Sequence, residues 1–259
     1  MNNPSTVIKR WGVVVIQSLK SEDRKTGENL FKEILQYKEY YQKESFSSFY
    51  DVHSKQDFCF AIKTVEKTLV EGDIITLHLE SHGCEAGIGL SNDEIVDWKT
   101  FYDLIRPINV KTGHLLFVVM AMCKSIDMIS SINPYARAPY RAFICTTRNV
   151  YPQEIYNGFV AFYEKYFNLL DIEKAIKALQ NEVIDENGYS PFQIMTAEYI
   201  FDKTFETNRD LSEVAEMQLG QLNIPITEST KKLMTNSIRQ LLREIHDKFY
   251  DYFNFKDIF

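Results

Sequence analysis

A histidine and a cysteine stand where two predicted strands end. Ser81-His82-Gly83 follows the apolar run Ile74 to Glu80, and Cys123-Lys124-Ser125 follows the run His114 to Met122. In an open parallel sheet the functional crevice lies outside the carboxyl ends of the strands, so both side chains should reach the same edge. A thiol there can act as a nucleophile, and an imidazole within reach can activate it or protonate a departing amine.

The glycine after the histidine has a physical reason of its own. Gly83 lacks a Cβ, which lets its backbone approach a substrate and offer an amide to a developing oxyanion. Downstream, Glu85 to Leu90 is predicted to be a turn-rich loop at the rim of the crevice. The charged segment Lys20 to Lys25 is predicted to be a solvated loop.

The neighbouring thiols are predicted to be structural. Cys84 lies two residues from His82, so His82, Cys84 and Cys123 could in principle ligate zinc. That spacing matches no standard zinc pattern, and a fourth ligand is missing. Cys145 lies inside a predicted strand and is interpreted as a core residue.

Alternating strands and helices predict the scaffold that positions the histidine and the cysteine. The strand candidates are apolar runs at Trp11 to Leu19, Phe46 to Val52, Ile74 to Glu80, His114 to Met122 and Arg141 to Thr146. Helical spacing of apolar residues marks Glu28 to Tyr41, Asp57 to Leu69, Asp97 to Ile108, Glu154 to Tyr166 and Asp171 to Val183. This order predicts an α/β fold with a mostly parallel sheet flanked by helices.

The C-terminal part differs in character. From about Lys203 the sequence becomes polar and helical, and Thr227 to Phe253 is predicted to be one long amphipathic helix. We therefore predict a domain at residues 1–202 and a helical appendage at residues 203–259. The apolar stripe of the helix needs a partner surface, so it packs on its own domain, or residues 227–253 bind a regulatory protein or a second copy.

Composition narrows the function classes. A formal net charge of -7 and no cluster of basic residues speak against a nucleic-acid partner. The apolar runs are shorter than the roughly 20 residues that span a bilayer, so no membrane association is expected. The first residues lack a secretory signal, and four widely spaced cysteines suit a reducing compartment. A cytoplasmic location is predicted.

A strand ending in His-Gly, a helix, and a very hydrophobic strand ending in Ala-x-Cys-x-Ser are typical of caspase-like cysteine peptidases, which include metacaspases, gingipains, separases and CHAT domains. LHLESHG and LLFVVMAMCKS, ending at Gly83 and Ser125, resemble this pattern. The resemblance covers about residues 8 to 202. It is closest to bacterial CHAT-type proteins, because Arg141 to Thr146, Glu154 to Tyr166 and Phe192 to Ile200 follow in their usual order.

The resemblance implies a Cys-His dyad. Cys123 would attack the peptide carbonyl, His82 would protonate the leaving nitrogen, and the amides of Gly83 and Cys123 would form the oxyanion hole. It implies no metal or cofactor, a protein substrate, and regulation by a partner or signal, as in bacterial antiviral defence or programmed death. Arg24 and Arg148 follow strands, where a caspase places arginines that bind an acidic substrate side chain.

The sequence departs from the family in places, and two other functions stay open. Caspases have Gln-Ala-Cys-Arg-Gly where this chain has Met120 to Ser125. The acidic residue that metacaspases usually have just before the cysteine region is missing. The resemblance therefore does not predict a preference for Lys or Arg before the cleaved bond. One alternative is a catalytically silent caspase-like scaffold that binds partners. The other is a flavodoxin-like nucleotide-binding domain, although Gln17 to Glu22 stands where a glycine-rich phosphate loop would be.

Overall fold

A computed structural model describes residues 8–38, 42–169 and 171–258 of the chain. The predicted helix end at Tyr41 lies outside these residues. Contacts divide the chain into two compact units, the first within Met1–Asn133 and Ala138–Ala197, the second Pro134–Arg137 and Glu198–Ile258. The domain boundary expected after residue 202 stays a prediction.

The first unit is built on a mostly parallel sheet. Its described strands are β1 Arg10–Ser18, β2 Ser45–Asp51, β3 Asp73–Cys84, β4 Gly87–Gly89, β5 Ile95–Asp97, β6 Leu116–Ala121, β7 Ala142–Thr146 and β8 Phe192–Thr196. Across the sheet the order is β2-β1-β3-β6-β7-β8, and every neighbouring pair is parallel except β7 and β8. β4 and β5 extend the end of β3 as antiparallel strands. The predicted α/β class with a mostly parallel sheet is confirmed.

Helices of the first unit flank this sheet, and the helix ends of both units follow local sequence signals. The described α-helices are α1 Thr26–Glu33, α2 Lys55–Thr68, α3 Trp98–Thr112, α4 Pro152–Leu169, α5 Ile172–Glu182, α6 Ala197–Thr204, α7 Ser212–Gln221 and α8 Glu228–Phe253. Ser54 and Asp57 form a capping box that starts α2. Gly113, with a left-handed φ of 77°, ends α3, as a residue without a Cβ readily does.

The core lies on both faces of the sheet because β1 is apolar at successive positions. Val13 and Val15 are fully buried in a cluster with residues of α1, α4 and α5. Successive strand side chains point to opposite faces, so Val14 and Ile16, also buried, face the other way. Helix α2 contacts β1, and α3 contacts β3 and β6. Burial on both faces is what a continuous β-branched strand requires.

Three local expectations are corrected by the structure. Glu85 to Leu90 is not only a loop, because Gly87–Gly89 forms β4. Helix α3 continues through Pro107 to Thr112 instead of stopping near the proline. The helix predicted from residue 28 begins at Thr26, ends at Glu33 and is followed by a 3-10 turn, Leu35–Tyr37.

In the second unit the predicted C-terminal helix is present as α8, with Thr227 as its N-cap. The ring centroid of Phe201 lies 4.8 Å from that of Phe253 and 5.7 Å from that of Tyr250. Leu233 and Leu241 on the same helix are exposed. Within the described parts of both units, no helix combines the length and the apolar character needed to span a bilayer.

Candidate active site

The register of the sheet brings His82 and Cys123 to one edge. β3 and β6 are parallel neighbours, and their last paired residues are Glu80 and Ala121. His82 and Cys123 each stand two residues beyond that pair. A Cβ added to Gly83 would lie only 2.0 Å from the carbonyl oxygen of Cys123, so the backbones after the two strands touch at a place that admits glycine alone. The predicted convergence of these segments is therefore present.

Cys123 occupies a tight turn held by the neighbouring strand. Lys124 has a left-handed backbone with φ of 50°, which is uncommon for a residue with a side chain. Thr146, at the end of β7, donates its hydroxyl to the carbonyl of Met122 at 2.5 Å, and its amide donates to Ser125 Oγ at 2.9 Å. A strained turn that is fixed by such bonds is typical of functional sites. The partly buried thiol lies 3.8 Å from the carbonyl oxygen of Val150.

His82 is accessible and has a carboxylate partner. Its side chain is 59% exposed, and Nε2 lies 2.9 Å from Oδ2 of Asp23, in the loop that follows β1. The short strand β4 pairs Gly89 with His82 and so extends β3 beyond the edge of the main sheet. Sequence patterns predict neither the contact of His82 with Asp23 nor strand β4. Three residues are too few for a periodic pattern, and the charged loop is predicted only to be solvated.

The two arginines proposed for substrate binding both approach the first turn of α4. Arg148 pairs with Glu154 at 2.7 Å, and its hydrogen bonds hold the pKa of that carboxyl below its ordinary value. Arg24 donates a hydrogen bond to Gln153, and its guanidinium lies 5.2 Å from the ring centroid of Tyr156. Arg148 therefore has a carboxylate partner within the chain, whereas the partners of Arg24 shown here are uncharged.

A groove lies beside the loop that carries Asp23. Its volume is about 500 Å³, within the usual range for ligand pockets. The lining includes both signs of charge and comes from the ends of β1 and β2 and the loop after β4: Lys20, Glu22, Lys25, Asp51, His53 and Ser91. Neither His82 nor Cys123 is among the residues that line this groove.

The other cysteines have different surroundings. Burial raises the pKa of the Cys145 thiol to about 12, which leaves almost no thiolate at neutral pH. The thiol of Cys84 donates to the carbonyl of Gly87 at 3.4 Å. Among the described residues, no group of three His, Cys, Asp or Glu side chains is arranged to hold a metal ion.

A buried polar cluster lies beneath this edge of the sheet. His78 Nδ1 lies 3.0 Å from the hydroxyl of Tyr163, and its Nε2 lies 3.0 Å from Oε1 of Glu80. The other oxygen of Glu80 accepts a hydrogen bond from Thr26, the first residue of α1. Glu80 precedes His82 by two residues, so this cluster anchors the strand that carries the histidine. The alternation of polar residues in LHLE was the available sequence signal.

Comparison with protein-family models finds no match, and no curated protein is similar in sequence.

Proposed function

We propose that the chain is a cysteine endopeptidase in which Cys123 is the nucleophile and His82 its acid/base partner. The observation that supports this most is the placement of both residues two positions beyond the last pair of adjacent parallel strands. The backbone contact between Gly83 and Cys123 adds to it. The motifs that resemble caspase-like peptidases supply the reaction class.

In the proposed reaction the Cys123 thiolate attacks the carbonyl carbon of a peptide bond. The amides of Gly83 and Cys123 are the proposed donors to the oxyanion, since backbone N–H groups aimed at a developing charge lower the barrier. His82 gives a proton to the leaving nitrogen as the carbon–nitrogen bond breaks. It then takes a proton from the water that hydrolyses the thioester.

The proposed substrate is a protein, and the proposed setting is the cytoplasm. Release of activity by a partner or signal, as in bacterial defence, rests on the motif resemblance alone. Arg24 is the better proposed contact for an acidic substrate side chain, because Arg148 already pairs with Glu154.

The decisive experiment is to incubate the full chain with the products of neighbouring genes and to identify new N termini by mass spectrometry. Cys123→Ala should abolish cleavage, and His82→Ala should lower it by orders of magnitude. Cys84→Ala is the matched control, since it removes a thiol two residues from His82 and should keep most activity, as should Cys145→Ala. Cleavage by the Cys123→Ala protein would refute the proposal. Partner binding without any cleavage would favour the silent scaffold instead.

A further inference from the structure

The loop after β1 has a defined conformation. The Lys25 ammonium donates to the carbonyl oxygens of Leu19 and Lys20 at 2.5 and 2.6 Å. The amide of Asp23 donates to the carbonyl of Lys20 at 3.1 Å, which closes a turn. The amide of Lys20 donates in return to Oδ2 of Asp23 at 2.8 Å. The carboxylate is thus placed by its own loop before it meets any other element.

The Asp23 carboxylate faces His82 and is less exposed to water than the histidine. The Asp23 side chain is 26% exposed, and its Oδ2 lies 2.9 Å from His82 Nε2. Burial alone would raise the pKa of Asp23, but the hydrogen bonds from His82 and from the Lys20 amide outweigh burial and hold it below its ordinary value. Asp23 is therefore ionised wherever a histidine titrates. The other charged groups of this loop are Lys20, Glu22, Arg24 and Lys25, and Asp93, which follows β4, pairs with Lys20 at 2.6 Å.

We propose that Asp23 is the positioning residue of the site and extends the Cys123–His82 pair to three members. This inference rests on the proposed peptidase function. An ionised carboxylate only accepts hydrogen bonds, so Nε2 of His82 carries the hydrogen that points at Asp23. The lone pair is then on Nδ1, the nitrogen that remains to exchange protons with Cys123 or the substrate.

Asp23 acts by stabilising the imidazolium that forms when His82 takes the thiol proton. The proton leaves Sγ of Cys123 and binds Nδ1, which gives a thiolate and an imidazolium. When the thiolate forms its bond to the carbonyl carbon and the carbon–nitrogen bond breaks, the same proton passes to the leaving nitrogen. Asp23 stays ionised throughout, as the carboxylate does in serine peptidases. The charge of Asp23 therefore matters most at low pH, at which a thiol without a partner stays protonated.

The test is the rate at which iodoacetamide alkylates Cys123 in the full chain, measured by mass spectrometry at about pH 6 and about pH 9. Asp23→Asn keeps an oxygen that can accept both hydrogen bonds but removes the charge. In this variant the rate of Cys123 alkylation should fall about tenfold at pH 6 and stay near the wild-type rate at pH 9, where a thiol ionises without help. Glu28→Gln removes a carboxylate charge from the first turn of α1, five residues from Asp23, and should change neither rate.

A second variant separates positioning from folding. Asp23→Ala should lose at least as much reactivity at pH 6, and added formate, a carboxylate that fits the vacated space, should restore part of it. Equal rates for Asp23→Asn and Glu28→Gln at pH 6, or no formate rescue, would overturn the role of Asp23 while leaving the peptidase proposal intact. A wild-type Cys123 that reacts no faster than Cys84 at pH 6 would refute the peptidase proposal and this inference with it.

Discussion

At the scale of single residues, Arg24 and Arg148 differ in the partners they already have. Arg148 is paired with Glu154, whereas Arg24 contacts Gln153 and the ring of Tyr156. If the substrate presents an acidic side chain, Arg24 is free of a competing carboxylate among these contacts. Arg24→Gln should then lower cleavage after acidic residues about 10- to 100-fold, the effect of one charge-assisted hydrogen bond.

Profiling with a peptide library measures this effect. Arg148→Gln is the matched control and should have the smaller effect on the preference for an acidic residue. A wild-type preference for neutral residues would contradict a substrate role for either arginine.

That the segments carrying His82 and Cys123 end at one edge of the sheet could be anticipated from sequence, because the ends of parallel strands share an edge. Asp23 could not. It lies 59 residues from His82 along the chain, and the contact depends on the conformation of a loop with no periodic pattern. The same holds for the buried partners of His78, since Tyr163 comes from α4, 85 residues away.

At the scale of elements, β3 depends on the buried cluster of His78, Glu80 and Tyr163. His78 is fully buried and Glu80 is almost so. His78→Leu would leave the Glu80 carboxyl buried without its histidine partner, which should lower the free energy of unfolding by about 2–4 kcal/mol. Tyr163→Phe removes one hydrogen bond and should cost about 1 kcal/mol.

Urea unfolding of the three proteins measures these costs. His78→Leu should be clearly less stable than Tyr163→Phe. Equal stabilities for wild type and His78→Leu would show that the cluster does not support β3.

Element prediction succeeded where burial sets a strong pattern and failed where it does not. The continuous apolar run of β1 and the spaced apolar residues of α2 and α4 gave the right element types. Strand β4 has only three residues, too few for a periodic signal. Pro107 suggested a stop, but α3 runs five residues further because its buried positions Ile108, Asn109 and Thr112 continue the packed face.

At the scale of the whole molecule, losing the packed side and changing the exposed side of the C-terminal helix should have different effects. Tyr250 and Phe253 pack around Phe201, so deletion of residues 227–259 should destabilise the second unit and lower a melting transition. Leu233 and Leu241 are exposed, and replacing both with serine should leave melting unchanged. We expect this double variant to weaken self-association or partner-dependent activation, measured by sedimentation and by cleavage.

A truncated protein with unchanged melting, association and regulated activity would show that α8 has neither role. If the first unit alone sets the reactivity of Cys123, truncation should also leave the rate of Cys123 alkylation unchanged.

Lys38 gives the stability of the molecule a predictable dependence on pH. Its side chain is almost fully buried, with Nζ 4.8 Å from the ring centroid of Phe167 and 6.0 Å from that of Tyr166. Burial lowers its pKa from 10.5 to about 7. The unfolded chain therefore binds more protons than the folded chain between about pH 7 and 10.5, so the free energy of unfolding should rise with pH across that window.

Lys38→Met keeps the apolar length and removes the charge. Below about pH 7 the variant should be more stable than wild type by about 3–5 kcal/mol, the order of magnitude of the cost of burying the ammonium. The difference should shrink as pH rises above about 7 and nearly vanish above about pH 10.5, where lysine becomes neutral in the unfolded chain as well. Lys63→Met, on the exposed side of α2, is the matched control and should show no such trend. Urea unfolding at a series of pH values measures the difference, and a gain that is constant with pH would mean that Lys38 does not titrate as its burial requires.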